Sequence, residues 1–470
     1  MSTRPHIVLI TSDQQRYDAV GFMGNAVVRT PVLDGLAADG LVLENTYCSV
    51  PVCVPSRASI VSGRYGRQWG WDRPVSTWWS EDYPTLPRVL AGVGYRTVAV
   101  GKMHFQPMRR SHGFQQMVLC EHGKLEDYLR DDYHPWLQAR GYSDYHELWQ
   151  LPSRFSAAPA PFREHLQAMP SPLPEELYHS TWIADRAVEV IEHHPREQPL
   201  FLWLSFLKPH HPFDPPHPWQ STYDPASLPL PDRDPGRTDL LPARAREALE
   251  NRLEHGVYDL GFLDPPLLRR VIAYYYASIT HLDGCVGRVM AALHRHGLAP
   301  HTAVAFTSDH GEWLGHRHKL FKAGGDVLLF DDLCRVPCSL TLPGGEGRGT
   351  RVRRPVGLVD LAPTFAELAG APAPGAWAGR SWLRLLSPAG DGDDPGWALS
   401  EGTGGGRAVM FRLGEIKYIQ DARAETQQLY DLARDPGERT NRFADPAYAG
   451  SQARLQARLA GVLAQLDEAR

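Results

Sequence analysis

Cys53 and the residues that follow it have types and spacing suited to covalent catalysis, in the stretch Cys53-Val54-Pro55-Ser56-Arg57. Pro55 favours a helix that begins there and runs to about Ser62. Cys53 would then lie at the N-terminus of that helix, where free backbone N–H groups and the helix dipole stabilise an anion. The same surroundings lower the pKa of a thiol, so Cys53 is a candidate nucleophile beside an anion site. The alternative, a buried structural thiol, leaves Arg57 unexplained.

Polar and ionisable residues also follow four apolar, β-branched segments that are predicted to be buried strands. These residues are Asp13 and Gln14 after His6–Ser12, Lys102 and His104 after Tyr95–Val100, His210 after Leu200–Phe206, and Asp309 and His310 after Thr302–Ser308. In open α/β sheets, ligands bind beyond the carboxyl ends of the strands. If the strands are parallel neighbours, these side chains converge on one rim. One such strand end is commonly an ordinary turn or helix cap, but four together are poorly explained by solvated loops.

The elements that must position these residues alternate between strands and helices, with helices predicted at Pro31–Gly40 and Leu267–His296. Such alternation predicts an α/β fold with a large, mostly parallel central sheet flanked by helices. Short strand-like pieces and a polar helix at Ala449–Glu468 predict a small C-terminal α+β subdomain. We therefore expect a catalytic domain at 1–395 and a small C-terminal subdomain at 396–470.

Two stretches rich in Pro, Asp and Arg, Leu151–Glu176 and Pro209–Arg246, interrupt this alternation. Long loops on a rigid scaffold are often substrate lids or subunit contacts, so we predict surface insertions that are compatible with a homo-oligomer. A group of tryptophans follows the nucleophile helix, and core packing is preferred over a substrate-binding wall as their interpretation. They are Trp69, Trp71, Trp78 and Trp79.

The composition argues against several classes of protein. The chain has 470 residues, of which 43% are apolar, and a net charge of −5 without a basic stripe, which argues against a nucleic-acid partner. No apolar run approaches the roughly 18 residues that span a bilayer, so no membrane partner is expected. The run Ile7–Ile10 is too short for a signal peptide, so a cytoplasmic location is predicted. The 6 cysteines form no C-x-x-C pair, which argues against a disulfide framework or a zinc ribbon.

The stretch around Cys53 resembles the C-x-P-x-R signature of sulfatases, and the resemblance continues through Gly63-Arg64-Tyr65. Sulfatases belong to the alkaline phosphatase-like superfamily, whose fold the chain would share. The resemblance implies that a formylglycine-generating maturation enzyme oxidises Cys53 to formylglycine, whose aldehyde hydrates to a geminal diol. One hydroxyl would attack the sulfur, and the other would let the covalent sulfate ester collapse back to the aldehyde. Arg57 would hold the diol oxygens or a charged substrate oxygen.

Two further motifs of the family occur at predicted strand ends. Gly101-Lys102-Met103-His104 is similar to G-K-W-H, which implies that Lys102 contacts the sulfate oxygens and that His104 works with the diol. Pro209-His210-His211-Pro212 is similar to P-H-x-P, which implies that His210 protonates the leaving alcohol. Histidine suits both tasks because its pKa lies near working pH.

A third motif, from Leu314 to Lys322, stands where the family usually ends a block with a catalytic lysine, and its spacing favours Lys322 over Lys319. It carries His316-Arg317 where the family usually has Asp-His, so no role is carried over to its histidines. Further along, Gln428–Glu438 resembles the L-Y-D-L-x-x-D-P-x-E segment near sulfatase C-termini. The resemblance therefore covers nearly the whole chain.

The resemblance also implies one divalent metal at the ends of the first and fourth strands, bound together with the modified Cys53. The implied ligands are Asp13, Gln14, Asp309 and His310. Carboxylate oxygens suit a hard cation, which would polarise the ester oxygens and acidify the diol. Calcium is the expected metal, with manganese or zinc as alternatives. The pair Asp13-Gln14 resembles a subset of the family that includes choline sulfatases and phosphonate monoester hydrolases, and Gln14 would bind through its carbonyl oxygen or lie behind the ligands.

The predicted activity is hydrolysis of a small-molecule sulfate monoester. The first alternative keeps the same site and changes the reacting centre to phosphorus, as in a phosphonate monoester or phosphodiester hydrolase. A two-metal phosphodiesterase is disfavoured because Cys53 stands where a Ser or Thr nucleophile is needed. A non-catalytic binding protein with an unmodified Cys53 stays open, because maturation depends on another enzyme.

Overall fold

A computed structural model of the chain describes residues 4–70, 82–122, 130–150, 154, 157–231, 258–259, 264–322, 329–386, 396–402, 408–422 and 425–468. The strands of the described residues, labelled β1 to β17 in chain order, are His6–Asp13, Leu41–Leu43, Thr46–Tyr47, Arg96–Gly101, Gln116–Leu119, Leu200–Pro209, Tyr258–Asp259, Thr302–Ser308, Lys319–Leu320, Arg335–Val336, Cys338–Thr341, Thr350–Val352, Val356–Gly357, Trp397–Glu401, Ala408–Leu413, Ile416–Asp421 and Thr426–Asp431. Their α-helices, labelled α1 to α12, are Pro31–Ala38, Cys53–Ser62, Gly66–Trp69, Leu86–Gly92, Tyr133–Gln138, Tyr145–Trp149, Ala160–Glu164, His179–Glu192, Pro265–Arg295, Asp331–Cys334, Leu361–Leu368 and Ala449–Glu468.

The central sheet has 8 strands in the order β12-β2-β11-β8-β1-β6-β4-β5. β1 runs parallel to β6 and to β8, and β4 runs parallel to β6 and to β5. The four strands predicted from the sequence are therefore adjacent and parallel, and the expected α/β fold is confirmed. β11 is antiparallel to both of its neighbours, which makes the sheet mixed at one side.

The sheet is covered on both faces, because every residue of β1 and of β6 is buried. Side chains alternate along a strand, so Ile7 and Leu9 join one apolar cluster while Val8 and Ile10 join another. Residues of α4 and α11 complete the first cluster, and residues of α8 and α9 complete the second. Strands enclosed in this way read as continuous apolar runs, which is why they were predictable.

The boundaries of two elements next to the site differ from the prediction. α2 begins at Cys53 rather than at Pro55, because Val52 is extended (φ −144°, ψ 140°) and accepts the N–H of Ser56 at 3.0 Å. Pro55 loses no hydrogen bond there, since the first N–H groups of a helix have no intrahelical acceptor. β6 continues past Phe206 to Pro209, so it includes the first residue of the P-H-x-P motif.

The C-terminal region is a separate antiparallel sheet in the order β14-β15-β16-β17, covered by α12. α12 packs its buried face through Leu455, Leu459, Val462 and Leu466, which follow helical spacing. This α+β arrangement agrees with the predicted fold class. The division into domains at 1–395 and 396–470 stays a prediction.

Several predicted features lie outside the described residues. They are residue 395 at the predicted domain boundary, Trp71, Trp78 and Trp79, and the parts of the two insertions at 151–153, 155–156 and 232–246. Trp69 is described and is buried, in agreement with core packing. Within the described ranges, no helix is both long and apolar enough to cross a bilayer.

Candidate active site

The carboxyl ends of β1, β4, β6 and β8 bring the predicted site residues to one rim. Asp13 and Gln14 lie at the end of β1, beside Asp309 and His310 at the end of β8. The N–H of Gln14 donates to Asp309 Oδ1 at 3.1 Å, and the register pairs Asp13 with Pro209 of β6. The convergence expected from parallel neighbouring strands is therefore present.

Gly101 explains how β4 brings Lys102 to this rim. Its φ of 96° lies in the left-handed region, and a Cβ there would overlap the carbonyl oxygen of Ser205 in β6. The turn that only glycine permits lets the Lys102 ammonium pair with the carboxylate of Asp13. His104 follows with a φ of 55°, a strained backbone of the kind that clusters at functional sites.

Cys53, the first residue of α2, faces the ends of β1 and β8. Its Sγ lies 3.6 Å from Asp13 Oδ1 and 3.2 Å from His310 Nε2. The ammonium of Lys322 lies 2.6 Å from the same sulfur. The spacing argument that preferred Lys322 to Lys319 thus selected the lysine that contacts Cys53.

Arg57 lies one helical turn after Cys53 and is completely buried. Its Nε donates to Asp309 Oδ2 at 2.9 Å, and its Nη2 donates to Asp13 Oδ2 at 3.2 Å. Its Nη1 donates to Ser205 Oγ at 2.6 Å and to the carbonyl of Lys102. Arg57 therefore fixes the two carboxylates of the rim, and a direct contact with a substrate oxygen stays a prediction.

The charges of the rim perturb the pKa of the Cys53 thiol. Burial and the carboxylate of Asp13 act to raise this pKa, but Lys102, Lys322 and His310 bring it well below its ordinary value. The same cationic surroundings hold the pKa of Asp13 well below its ordinary value against the effect of burial. The site is therefore built to stabilise negative charge at residue 53.

The two histidines predicted for acid–base chemistry lie beside the rim. The Nδ1–H of His210 donates to the carbonyl of His211 at 2.6 Å, which leaves Nε2 to carry a transferable proton. Burial and then Lys322 lower the pKa of His210, so its protonated form is a stronger acid than free imidazolium. Burial and then Lys102 lower the pKa of His104, and Cys53 opposes them.

Four groups at the rim are close enough together to hold a divalent cation. The candidate ligand atoms of Asp13, Cys53, Asp309 and His310 lie within 4.8 Å of one another and are buried. The Nδ1–H of His310 donates to the carbonyl of Gly311 at 2.9 Å, so its Nε2 lone pair is available for a metal.

Gln14 supplies an independent sign of the same site. Its Nε2 donates to a carboxylate oxygen of Glu312 and lies 3.4 Å from Nδ1 of His211. These contacts fix the amide so that Oε1 is buried without a hydrogen-bond donor among the described residues. A buried carbonyl oxygen without a partner is costly, and a cation satisfies it. The residues present therefore fit the metal that the resemblance implies.

A family model described as Sulfatase matches residues 5–371, which include every residue of this site. The chain belongs to the sulfatase family. It is accordingly a sulfuric ester hydrolase with the alkaline phosphatase-like fold, as the C-x-P-x-R resemblance implied.

Among curated relatives of this sulfatase is an arylsulfatase of Clostridium perfringens, 29% identical over 461 residues that cover 93% of this chain and 90% of that protein. Phosphonate monoester hydrolases are among the similar solved structures. That of Agrobacterium radiobacter has a TM-score of 0.78 at 23% identity, covering 98% of this chain and 96% of its own. That of Silicibacter pomeroyi has a TM-score of 0.76 at 25% identity, covering 97% and 94%.

The sequence did not single out some polar residues that line or support this sulfatase site. Glu121 accepts the backbone N–H groups of Met103 and His104 at 2.8 and 3.0 Å, and His122 lies beside the ring of His210. Both follow β5, a strand of only 4 residues that is too short to be recognised. Had β5 been predicted, the rule that selected the other strand ends would have found them.

The histidine that departs from the family pattern, His316, belongs to a different group. Its Nδ1 lies 3.2 Å from Asp332 Oδ1, and Arg16 donates to the same carboxylate oxygen at 2.7 Å. His316 therefore takes part in an ion cluster behind the rim. The side chain of His318 lies outside the described residues.

Proposed function

We propose that this sulfatase hydrolyses small-molecule sulfate monoesters to an alcohol and sulfate, with formylglycine made from Cys53 and one divalent metal. The single observation that supports this most is the position of the Cys53 sulfur. It lies at a helix N-terminus, 2.6 Å from Lys322 Nζ and 3.2 Å from His310 Nε2. A nucleophile placed there meets both the implied metal and the cations that would bind a sulfate group.

Formylglycine is the form of residue 53 that we propose for the active enzyme, produced by a separate maturation enzyme. The Cys53 sulfur stands in for one oxygen of the hydrated aldehyde, which would supply a hydroxyl nucleophile and a second hydroxyl for release of sulfate. Lys322 and Lys102 would stabilise the negative charge on that oxygen and on the sulfate.

The metal that we propose is calcium, held by Asp13, Gln14, Asp309 and His310 together with residue 53. Carboxylate and amide oxygens form most of this donor set, and oxygen ligands are what calcium prefers. The single imidazole of His310 keeps manganese and zinc as alternatives. A bound divalent cation would polarise the nonbridging oxygens of the ester and acidify the nucleophile.

His210 is the residue that we propose to protonate the leaving oxygen. Its Nδ1–H is fixed by the carbonyl of His211, so a proton on Nε2 creates the acidic imidazolium form. His104, whose side chain hydrogen-bonds residue 53, would exchange a proton with the nucleophile. The cytoplasmic location and a homo-oligomer stay predictions.

Hydrolysis of phosphonate monoesters at the same site is the second candidate, favoured by the Asp13-Gln14 pair and by the similarity to phosphonate monoester hydrolases. The 29% identity to an arylsulfatase supports sulfur as the first choice. Matched substrates test this choice, namely 4-nitrophenyl sulfate and 4-nitrophenyl phenylphosphonate, with Cys53→Ala as the control for each. We expect the higher kcat/KM on the sulfate. A higher kcat/KM on the phosphonate would replace sulfate hydrolysis by the second candidate.

A further inference from the structure

The ring of His122 contacts the rings of both histidines proposed for acid–base chemistry, His104 and His210. Its ring lies edge-on to the ring of His210, with centroids 4.2 Å apart and planes at 70°. It also lies edge-on to His104, with centroids 5.5 Å apart. The imidazole proposed as the general acid therefore packs against a second imidazole that comes from another strand.

The protonation of His122 follows from its partner Gln150. The amide nitrogen of Gln150 lies 3.1 Å from Nδ1 of His122 and also donates to Oε2 of Glu147. An amide nitrogen has hydrogens to donate and no lone pair to accept with, so Nδ1 of His122 must be the acceptor. In the neutral ring the proton is therefore on Nε2, and the orientation of the ring is fixed from behind.

Glu147 joins this contact to the backbone of His210 itself. Its Oε1 accepts from the ammonium of Lys208 at 3.1 Å. The same ammonium donates to the carbonyls of His210 and Pro212 at 3.3 and 2.7 Å, and it pairs with Asp214 at 2.7 Å. One buried network thus holds His210 from two directions, through its backbone and through the ring that His122 presents.

The acidic residues of this network pair with a lysine of the chain. The candidate metal-ligand atoms of Glu147, His179 and Asp214 lie within 4.8 Å of one another, which is close enough for one metal ion. The ammonium of Lys208 already lies between the two carboxylates, and Asp214 and Glu147 hold the pKa of Lys208 above its ordinary value against burial. The carboxylates of this cluster are therefore paired with a lysine of the chain, and the cluster acts as a support for the backbone of His210.

We propose that His122 is a positioning residue for His210. Gln150 and Glu147 hold the His122 ring in place, and this ring orients the His210 imidazole toward the leaving oxygen of the ester. This rests on the proposed function, since it presupposes that His210 is the general acid. Buried, mutually bonded polar networks are rigid, and small misplacements of an acid have large effects on rate. The short strand β5 and the pair Glu121-His122 after it would then contribute to catalysis.

The test compares sulfate esters that differ in leaving group, from 4-nitrophenyl sulfate to phenyl and alkyl sulfates, in the metal-loaded, matured enzyme. A good leaving group needs little protonation, whereas a poor one depends on the acid. We expect His122→Ala to lower kcat/KM by about tenfold to a hundredfold on the poor leaving groups and little on 4-nitrophenyl sulfate. His122→Phe keeps the edge-on ring and should recover part of the loss.

Gln150→Leu is the second variant, because it frees the His122 ring without altering the rim. We expect the same leaving-group dependence at smaller size, with an unchanged melting temperature. The matched control is His194→Ala, which removes a buried imidazole at the amino end of β1, where its ring contacts His6. Among the described residues, its one hydrogen bond joins Nε2 to the carbonyl of Gln198 at 2.7 Å. This variant should affect all esters equally.

The outcomes separate the two proposals. If His210→Ala shows the leaving-group dependence and both His122→Ala and Gln150→Leu lower all rates equally, His122 is merely structural and this inference is overturned. If His210→Ala itself lacks the dependence, the assignment of the acid fails and the role of His122 fails with it. Dependence in all three variants supports both.

Discussion

Two buried groups of charges differ in what completes them. In the C-terminal sheet, the ammonium of Lys417 lies 2.8 Å from Asp331 Oδ1 and 2.6 Å from Glu438 Oε1. The Tyr47 hydroxyl donates to Asp331 as well, at 3.0 Å. The chain supplies all of these partners itself, and the group joins β16 to α10 next to the central sheet. The group therefore attaches the C-terminal sheet to α10.

The rim of the central sheet is composed differently. Its cations, Arg57, Lys102 and Lys322, outnumber the carboxylates of Asp13 and Asp309, and the Gln14 carbonyl oxygen has no donor among the described residues. Partners from outside the chain, a metal and a sulfate group, would complete it. A buried charge group whose partners all come from the chain contributes to the stability of the folded protein. A group that needs a bound metal and a sulfate group leaves the unliganded protein less stable and serves function instead.

The largest expected effect is the loss of activity in Cys53→Ala. Because the variant lacks the nucleophile, kcat/KM should fall by roughly 10⁴-fold or more, with no loss of melting temperature. The measurement is hydrolysis of 4-nitrophenyl sulfate together with a thermal melt.

The matched control is Cys48→Ala, since the Cys48 thiol is buried in the core and its pKa is raised by burial. This variant should melt earlier and retain the activity of the folded enzyme. Retained activity in Cys53→Ala, or inactive folded Cys48→Ala, would contradict the comparison between site and core.

The next largest effect is expected for Lys322→Met. Loss of the ammonium that contacts residue 53 removes charge stabilisation, so kcat/KM should fall by about 10² to 10³-fold. Lys319→Met is the paired variant and should change kcat/KM by only a few-fold in folded protein. Equal losses from the two variants would show that position 322 has no special part in the reaction.

Metal removal should affect both activity and stability. Chelation should abolish hydrolysis, and calcium at about 100 times its Kd should restore it and add about 2.7 kcal/mol to the free energy of unfolding. Gln14→Leu should raise the calcium concentration needed for this stabilisation, measured by melting without substrate. An unchanged calcium requirement in Gln14→Leu would remove Gln14 from the ligand set.

The smallest effect on activity is expected for Lys417→Met, which removes the ammonium that pairs with two buried carboxylates. The free energy of unfolding should fall by about 3 to 5 kcal/mol, while kcat/KM of the folded enzyme stays within about twofold. Denaturant titration and steady-state kinetics measure the two quantities. A large loss of kcat/KM at unchanged stability would contradict the view that the C-terminal charge group serves stability and only the rim serves catalysis.

The same C-terminal group predicts a dependence on pH. Burial acts to raise the pKa of Asp331, but Lys417 and then Arg335 lower it from 3.8 to about 2. A carboxyl whose pKa is lower in the folded state contributes stability above its unfolded pKa and loses it as pH falls. The wild type should therefore lose this contribution between about pH 4 and about pH 2, and Lys417→Met should lose less over that range. Parallel acid titrations of the two proteins would show it.

The predictable parts of this molecule carry strong local signals. β1 and β8 are buried strands with apolar centres. β1 ends at Asp13, Asp309 follows β8 at once, and parallel pairing brings such ends together. The C-x-P-x-R motif located residue 53 within the site, although α2 begins earlier than Pro55 suggested. Predicting these features required no long-range contact other than the parallel pairing of neighbouring strands.

The parts that escaped prediction depend on contacts between distant segments. β5 has only 4 residues, of which three are partly exposed, so it carries no clear periodicity, and His122 after it was missed. Lys417 and Asp331 are 86 residues apart, and no local pattern pairs them. The role of Arg57 in fixing two carboxylates likewise requires the folded rim.

The proposed formylglycine at residue 53 is tested most directly by the mass of the peptide that contains this residue. Protein produced together with a formylglycine-generating enzyme should yield a residue 53 that has lost its sulfur and carries an aldehyde able to react with a hydrazide. The modified fraction should rise in proportion to sulfatase activity. Fully active protein in which residue 53 is an unmodified cysteine would contradict the account.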